Sequence, residues 1–416
     1  MSVEPTTDGM TRLLQDLVRI PGVSGDEDAV ASHLAGVLGQ AGLEVRRRGH
    51  NLFCEVFEGS GPRLLYNSHL DTVPAADGWT RPPHGGELAN GRIYGLGAND
   101  ARGCVVALFS AALRLRAEHA RRRFPGSLWI AFTAAEETGG EGLGTIVPEL
   151  PSLHAAIVGE PTGCRPVLAQ KGLIVLRGEA RGIAGHAAHG ESGGVRNAVH
   201  LAARSVASLL AATAAAGEKA TEDAAVSAAV NKMPAVRTVP PVAVAPPVGP
   251  AGATAPPPDR GLLGPGHPLL GPPSFQVTRI EGGHARNAIP DGCQFWCDLR
   301  VNPGADPQDI LARLRSLAEC ELHLHSARLK AVETMPAEAI ARAAVEASGH
   351  AAEGSRTTSD WVHLAHLPVV KIGPGDTARS HRADEYLAVE ELQEGTEVYT
   401  RLARRYFELA VEGSGV

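Results

Sequence analysis

Residues 127–137 read SLWIAFTAAEE, a short apolar run that ends in two adjacent glutamates, Glu136 and Glu137. The same arrangement recurs along the chain. RLLYNSHLD (63–71) leads into His69 and Asp71, and HAAIVGEP (154–161) leads into Glu160. LPVVKIGPG (367–375) leads into a glycine turn that precedes His381. Runs of this length, rich in β-branched residues, predict buried strands. They alternate with helical spacing at MTRLLQDLVRI (10–20) and ARGCVVALFSAALRLR (101–116), which predicts an α/β sheet. SGDED, from Ser24, supplies a cap and early acidic residues for a further helix over 24–40. Open α/β sheets place ligands outside the carboxyl ends of their strands. His69, Asp71, Asp100, Glu136, Glu137, Glu160 and His381 all fall at strand ends or in following turns.

Outside these segments the composition is uneven. The chain has 416 residues, which suits two domains, and 44% are hydrophobic, enough for a sizeable core. A net charge of −7 argues against nucleic acid or an anionic membrane as partner. Thirteen of the 30 prolines lie between Pro234 and Pro273. Proline fixes φ and removes a donor, so residues 216–263 are expected to be an extended or disordered insertion. An SH3-type ligand is the alternative for that stretch, but its prolines are interleaved with Ala and Val and carry few basic residues. The beginning of the chain has no export-signal pattern, and no apolar run reaches the roughly 20 residues of a membrane span. Six scattered cysteines without a CxxC pair point to buried thiols in a reducing cytoplasm.

Each motif has an ordinary reading beside its chemical one. A lone histidine is usually a surface or core residue, and His33, His50, His119 and His200 are read so. In His69-x-Asp71 a spacing of two puts both side chains on one side of a strand end. Asp71 can then accept the second imidazole N–H, as happens behind many metal-bound histidines. Glu136 and Glu137 repel unless a cation or shared proton compensates; a solvated acidic turn is the alternative. On a strand they point to opposite sides, one toward a metal and one toward water. Gly95–Asp100 (GLGAND) resembles a phosphate loop, but Asp100 replaces the third glycine and no GK[ST] follows. A metal-bridging carboxylate suits Asp100 better. Together, two histidines and three carboxylates can hold two divalent ions with one carboxylate shared. Mixed nitrogen and oxygen donors favour Zn²⁺, Co²⁺ or Mn²⁺. Such a pair polarises a carbonyl and activates water, and the remaining glutamate can serve as general base and acid.

In NSHLDTVP (67–74), YGLGANDARG (94–103), TAAEETGG (133–140), VGEPTG (158–163), GIAGHAAHG (182–190), GGHARNAIPDGC (282–293), DLR (298–300) and KIGPGDTARSHRADEYL (371–387), the chain resembles the M20 metallopeptidases and deacylases. The resemblance is greatest to the acetylornithine deacetylase branch. It implies a catalytic domain (1–170 and 328–416) with a mixed, mostly parallel sheet and helices on both faces. It also implies a smaller α+β lid and dimerisation domain (171–327), and hence a homodimer. His69, Asp100 and Glu160 would bind one zinc, and Asp100, Glu137 and His381 the other. Asp71 would support His69, and Glu136 would be the acid/base. His186 would stabilise the oxyanion in the partner subunit's site, and Asn287 and Arg300 would hold the substrate. A guanidinium suits a carboxylate, which it grips bidentately. The implied reaction releases acetate from N2-acetyl-L-ornithine in arginine biosynthesis. Succinyl-diaminopimelate, acetyl-lysine, acetyl-citrulline or a dipeptide are alternative small-molecule substrates. Asp360, Arg379 and Ser380 are candidates for reading the substrate side chain by nearness alone. Two departures stand out: Arg102, where members often carry Lys, and the proline-rich insertion. A non-catalytic metal-binding scaffold is the rival of another class, and the complete ligand set argues against it.

Overall fold

The protein is described here by a computed structural model covering residues 6–139, 141–230 and 261–412. It forms two compact units, one made of the chain up to Gln170 and from Val332 onward, the other of Lys171–Ala331. The first unit opens with α1 (Thr7–Arg19), α2 (Asp28–Gln40), β1 (Arg46–Arg48), β2 (Asn51–Phe57) and β3 (Arg63–His69). It continues with β4 (Glu87–Ala89), β5 (Arg92–Tyr94), α3 (Arg102–His119), β6 (Ser127–Thr133), α4 (Glu141–Ile146), β7 (Ala155–Val158) and β8 (Val167–Gln170). The second unit holds β9 (Gly172–Arg181), β10 (Gly185–His186), α5 (Ala198–Val230), β11 (Ser274–Gly282), β12 (Ala288–Ile289), β13 (Gly292–Val301), α6 (Pro307–Arg315) and β14 (Glu321–Leu329). The chain then returns through β15 (Val332–Glu333), α7 (Ala339–Ser348), β16 (Glu353–Ser355), β17 (Val369–Lys371), β18 (Tyr386–Ala388) and α8 (Val389–Glu412).

The main sheet of the first unit runs β1-β2-β6-β3-β7-β17-β8-β15, with β16 beside β8. Its centre, β6-β3-β7-β17, is parallel. β3 and β6 are buried along almost their whole length, as expected of parallel strands covered on both faces. Successive residues serve opposite faces. Leu64 and Tyr66 join the cluster made with α1, α2, α3, α7 and α8. Leu65 faces the other way, among Trp129, Ala156, Leu143 and Ile146 of α4, and Trp361. α1 buries Met10, Leu13, Leu14, Leu17 and Val18, a one-face stripe. α3 is buried nearly all round, which its continuous apolar sequence requires.

The sheet of the second unit is antiparallel, in the order β11-β13-β9-β14. β9 alternates buried and half-exposed residues, so one face is covered and the other open. The covered face packs Ile174, Leu176, Phe295 and Leu299 against Leu201 and Leu209 of α5 and Ile310 and Leu314 of α6.

Three expectations need correction. The insertion does not begin at 216: α5 continues to Val230, because the stretch from 216 to Pro234 has no other proline and is rich in the strong helix former alanine. Nor does it extend to 263, since Leu263 is buried in the core of the second unit. Its remainder, 231–260, lies outside the described residues. The expected boundary at 327/328 cuts through β14, which pairs with β9 as far as Leu329. SGDED does not cap α2, whose N-cap is Glu27 without a side-chain cap bond; Ser24 and Glu27 bond instead to Asp71 and to the backbone of Ala135. All six cysteines are unpaired, and five are buried. Among the described residues no helix is long and apolar enough to cross a membrane.

Candidate active site

The carboxyl ends of β3, β6 and β7 lie level, with His69 opposite Thr133 and Asn67 opposite Val158. His69 ends β3, Glu136 and Glu137 follow β6, and Glu160 follows β7. Asp100 sits in the turn before α3, and His381 follows a 3₁₀ turn beyond β17. Five separate segments thus converge on one edge. Asp100 lies between the two histidines: its Oδ1 is 3.3 Å from His69 Nε2 and its Oδ2 is 3.8 Å from His381 Nε2. His69 Nε2 is 4.0 Å from Glu160 Oε1, and His381 Nε2 is 2.8 Å from Glu137 Oε1. His69, Asp100 and Glu160 form one donor triad and Asp100, Glu137 and His381 a second, each with its donor atoms within 4.8 Å of one another. Asp100 offers a different oxygen to each, as a bridging carboxylate does.

Asp71 organises the other side. It is fully buried, and its carboxylate accepts from Glu136 N (3.1 Å), Glu137 N (3.1 Å) and Ser24 Oγ (2.7 Å). His69 Nδ1 lies 3.1 Å from the backbone carbonyl of Asp71 and 3.5 Å from its carboxylate. The imidazole is therefore oriented largely by the Asp71 backbone, while the carboxylate holds the glutamate turn. Glu136 and Glu137 do not lie on a strand, as sequence alone predicts; β6 ends at Thr133. Ala135 takes φ 57°, and Glu27 Oε1 accepts its N–H at 3.0 Å. His381 is also left-handed, at φ 59°. Non-glycine residues held at positive φ cluster at functional sites.

Burial and like charge dominate the electrostatics. Burial pushes Glu160 up to about 8, with Asp100 adding repulsion that His69 opposes. Burial raises Glu136 well above the carboxylate range, and Glu160, Asp360 and Glu137 add to the rise. His381 is pushed up to about 9, chiefly by its bond to Glu137. Burial alone would depress His69, but its bonds to Asp100 and Asp71 and the charges of Asp71 and Glu160 raise it. Glu136 and Glu160 thus hold protons they would ordinarily shed, which bound cations would relieve, while, against burial, the bonds and charge of His69 hold Asp100 below its ordinary value. Cys104 is near enough to feel Glu160 and Asp100, but burial holds its thiol well above the ordinary range. The donors are therefore imidazole and carboxylate, which suits Zn²⁺, Co²⁺ or Mn²⁺.

The remaining expected residues lie in the second unit. β10 and β12 pair, placing His186 opposite Ala288, and Ala187 N donates to Asn287 O at 2.9 Å. His186 Nδ1 accepts from Ala188 N at 3.2 Å, so the neutral ring carries its proton on Nε2. Arg300 is held in a fork by Asp298, at 2.8 and 3.0 Å. A third grouping, Glu179, Glu321 and His323, spans β9 and β14. There Arg177 and Arg181 already pair with Glu179.

Of the side-chain candidates, Arg379 is bound by Glu391, and Ser380 accepts from Asn99. Asp360 is buried and accepts from Thr133 Oγ1 at 2.6 Å. Sequence reasoning missed Ser24, Glu27, Glu385 and Lys371. Glu385 Oε1 accepts from the backbone N–H groups of Asn99 and Asp100, at 2.9 and 3.0 Å. Lys371 is buried and close enough to Glu160, Glu136 and Asp100 to feel their charge. One signal was present: Lys371 interrupts LPVVKI, and a charge inside an apolar strand is rarely buried without a partner.

The family model for peptidase family M20/M25/M40 matches residues 65–405. A succinyl-diaminopimelate desuccinylase of Cereibacter sphaeroides is 28% identical, covering 95% of this chain and 98% of that protein. An acetylornithine deacetylase of Myxococcus xanthus is also 28% identical, covering 80% of this chain and 78% of that protein. The fold matches an M20 family metallo-carboxypeptidase from Sulfolobus solfataricus with a TM-score of 0.67 at 17% identity, covering 96% of this chain and 99% of that one. It also matches a dinuclear metal-binding M20 peptidase from Bacillus subtilis with a TM-score of 0.65 at 14% identity, covering 97% of this chain and 98% of that one.

Proposed function

The chain belongs to peptidase family M20/M25/M40 and is a metal-dependent amide hydrolase, and from that premise we propose that it removes the acyl group from an N-acyl amino acid. The observation that carries this is the pair of donor triads sharing Asp100, with Glu136 on a turn held by Asp71. In this reading His69, Asp100 and Glu160 hold one divalent ion and Asp100, Glu137 and His381 the other, zinc first among the candidates. Two such ions supply Lewis-acid polarisation of the scissile carbonyl and of water. Glu136 ligates neither ion. Burial raises its carboxyl, and the two cations would bring it back to the ionised form, which takes a proton from attacking water and returns it to the leaving amine. His186, with Nε2–H free to donate, stabilises the oxyanion, and Asn287 and Arg300 hold the substrate. Arg300 must share its fork between Asp298 and a substrate carboxylate. The family's lid-mediated homodimer is part of the reading. Six unpaired cysteines fit a reducing compartment such as the cytoplasm.

N2-acetyl-L-ornithine is the substrate we place first. Succinyl-diaminopimelate is the second reading, favoured by relatives of that name that match over 95% of this chain. A panel of acyl amino acids, assayed for released amine with chelator and with restored Zn²⁺ or Co²⁺, separates them. No turnover of any acyl-ornithine removes the first. Glu136→Gln is expected to keep its metal and lose at least about 10²-fold in kcat. An active variant would refute the role of Glu136. Light scattering tests the dimer.

A further inference from the structure

Arg102 opens α3 two residues after Asp100, and no part of it reaches solvent. Its backbone N–H closes the glycine turn by donating to Gly97 O at 3.0 Å. Its guanidinium leaves the helix and gathers three carbonyls. Nε donates to Leu70 O at 3.0 Å, and Nη1 donates to Leu17 O at 2.5 Å and Ile20 O at 2.8 Å. Leu70 is the residue between His69 and Asp71. Its N–H is already fixed on Thr133 O at 2.7 Å, so Arg102 pins the remaining polar group of that residue. Ile20 begins the loop that brings Gly22 O to Thr72 N (2.9 Å) and Ser24 Oγ to the Asp71 carboxylate (2.7 Å).

The space for this side chain is built in. A Cβ on Gly22 would stand 2.6 Å from Nη2, and one on Gly97 would stand 3.3 Å from the Arg102 Cδ. Two glycines thus leave room for a guanidinium that ties the Asp100 turn, the end of β3 and the Ser24 loop. Burial lowers its pKa to about 10, so it stays charged at neutral pH. Lysine keeps the charge but lacks the planar fork that reaches diverging acceptors.

We infer that Arg102 is a positioning residue for the metal group that contains His69, acting through the carbonyl of Leu70, the residue that follows His69. The inference rests on the dimetal reading above. It is tested with Arg102→Lys, and with Gly22→Ala, which displaces the guanidinium without altering it. Each full-length variant is checked for folding by circular dichroism. Zn²⁺ binding is then measured by dialysis against buffered free metal, and the Co²⁺ absorption spectrum is recorded. The expected result is that one of the two ions binds about tenfold or more weakly, on the scale of support residues behind metal ligands. The other ion, which shares only Asp100 with that group, should lose clearly less, and the Co²⁺ spectrum should alter chiefly for the weakened site. A folded variant that keeps both affinities and the spectrum and loses only thermal stability overturns the inference, as does equal weakening of both ions. If Arg102→Lys does not fold, Gly22→Ala decides. Fewer than two ions on the wild-type chain would instead refute the dimetal reading.

Discussion

Replacing Asp71 with Asn tests the centre of the site at nearly constant volume. The carboxylate takes two backbone N–H groups, from Glu136 on Oδ1 and Glu137 on Oδ2, and the Ser24 hydroxyl on Oδ2. An amide has one acceptor oxygen and one donor nitrogen. With its oxygen toward Glu137 and Ser24, its NH₂ confronts the N–H of Glu136. Turned over, it confronts the N–H of Glu137, while Ser24 Oγ can accept. Either way one half-buried N–H loses its partner, at about 1–3 kcal/mol, and the bonds that survive lose their charged acceptor. The expected sum is about 3 kcal/mol of stability. The Asp71 carboxylate holds the N–H groups of both glutamates, so kcat should fall about 10–100-fold. Denaturant unfolding, kcat on the best acyl substrate and zinc content measured on one preparation separate the effects. Asp71→Asn within about 0.5 kcal/mol of wild type and of equal kcat would refute this account of the carboxylate; the smaller cost is the size of an ordinary surface change.

Other perturbations follow from the same geometry. His186→Ala is expected to lower kcat by about 10² while zinc content stays unchanged; an undiminished kcat removes His186 from the oxyanion role. Ala135→Gly relieves a left-handed non-glycine residue and should gain about 1 kcal/mol in denaturant unfolding; a clear loss would show that the methyl group packs more than the backbone strains. Burial pushes the thiols of Cys54, Cys164 and Cys297 up to about 12. Their folded-state pKa values exceed the ordinary 9, so this stability is whole below pH 9 and lost as pH rises toward 12. Thermal unfolding from pH 8 to 11 should show the decline, and Cys54→Val should flatten it; a flat wild-type profile would contradict the burial argument.

The central strands and the residues after them were legible because parallel strands are continuous apolar runs and metal donors are rare residue types at their ends. Asp100, between a glycine turn and a helix, was legible as a candidate shared donor, and both donor triads include it. What stayed hidden depends on backbone direction. Nothing in TAAEE announces that Ala135 turns left-handed and points both glutamate N–H groups at Asp71. SGDED has the pattern of a helix cap, yet tertiary partners claim Ser24 and Glu27. Arg102 and Arg300 are chemically equivalent in sequence. One gathers backbone carbonyls and the other is forked by Asp298, a difference set by neighbours distant in the chain for Arg102 and two residues back on the same strand for Arg300.

The second donor triad takes Asp100 and Glu137 from the stretch before Gln170 and His381 from the stretch after Val332. An ion held there is a clasp between two lengths of chain that the inserted unit keeps apart in sequence. Closing so long a loop restricts the unfolded chain, though the benefit grows only slowly with length. The binding energy itself is added by mass action. The first unit's hold on its own C-terminal stretch then varies with free metal. Scarcity of the ion would loosen the fold at His381 as well as halt the chemistry, and a protease that cuts that stretch faster after chelation would register it.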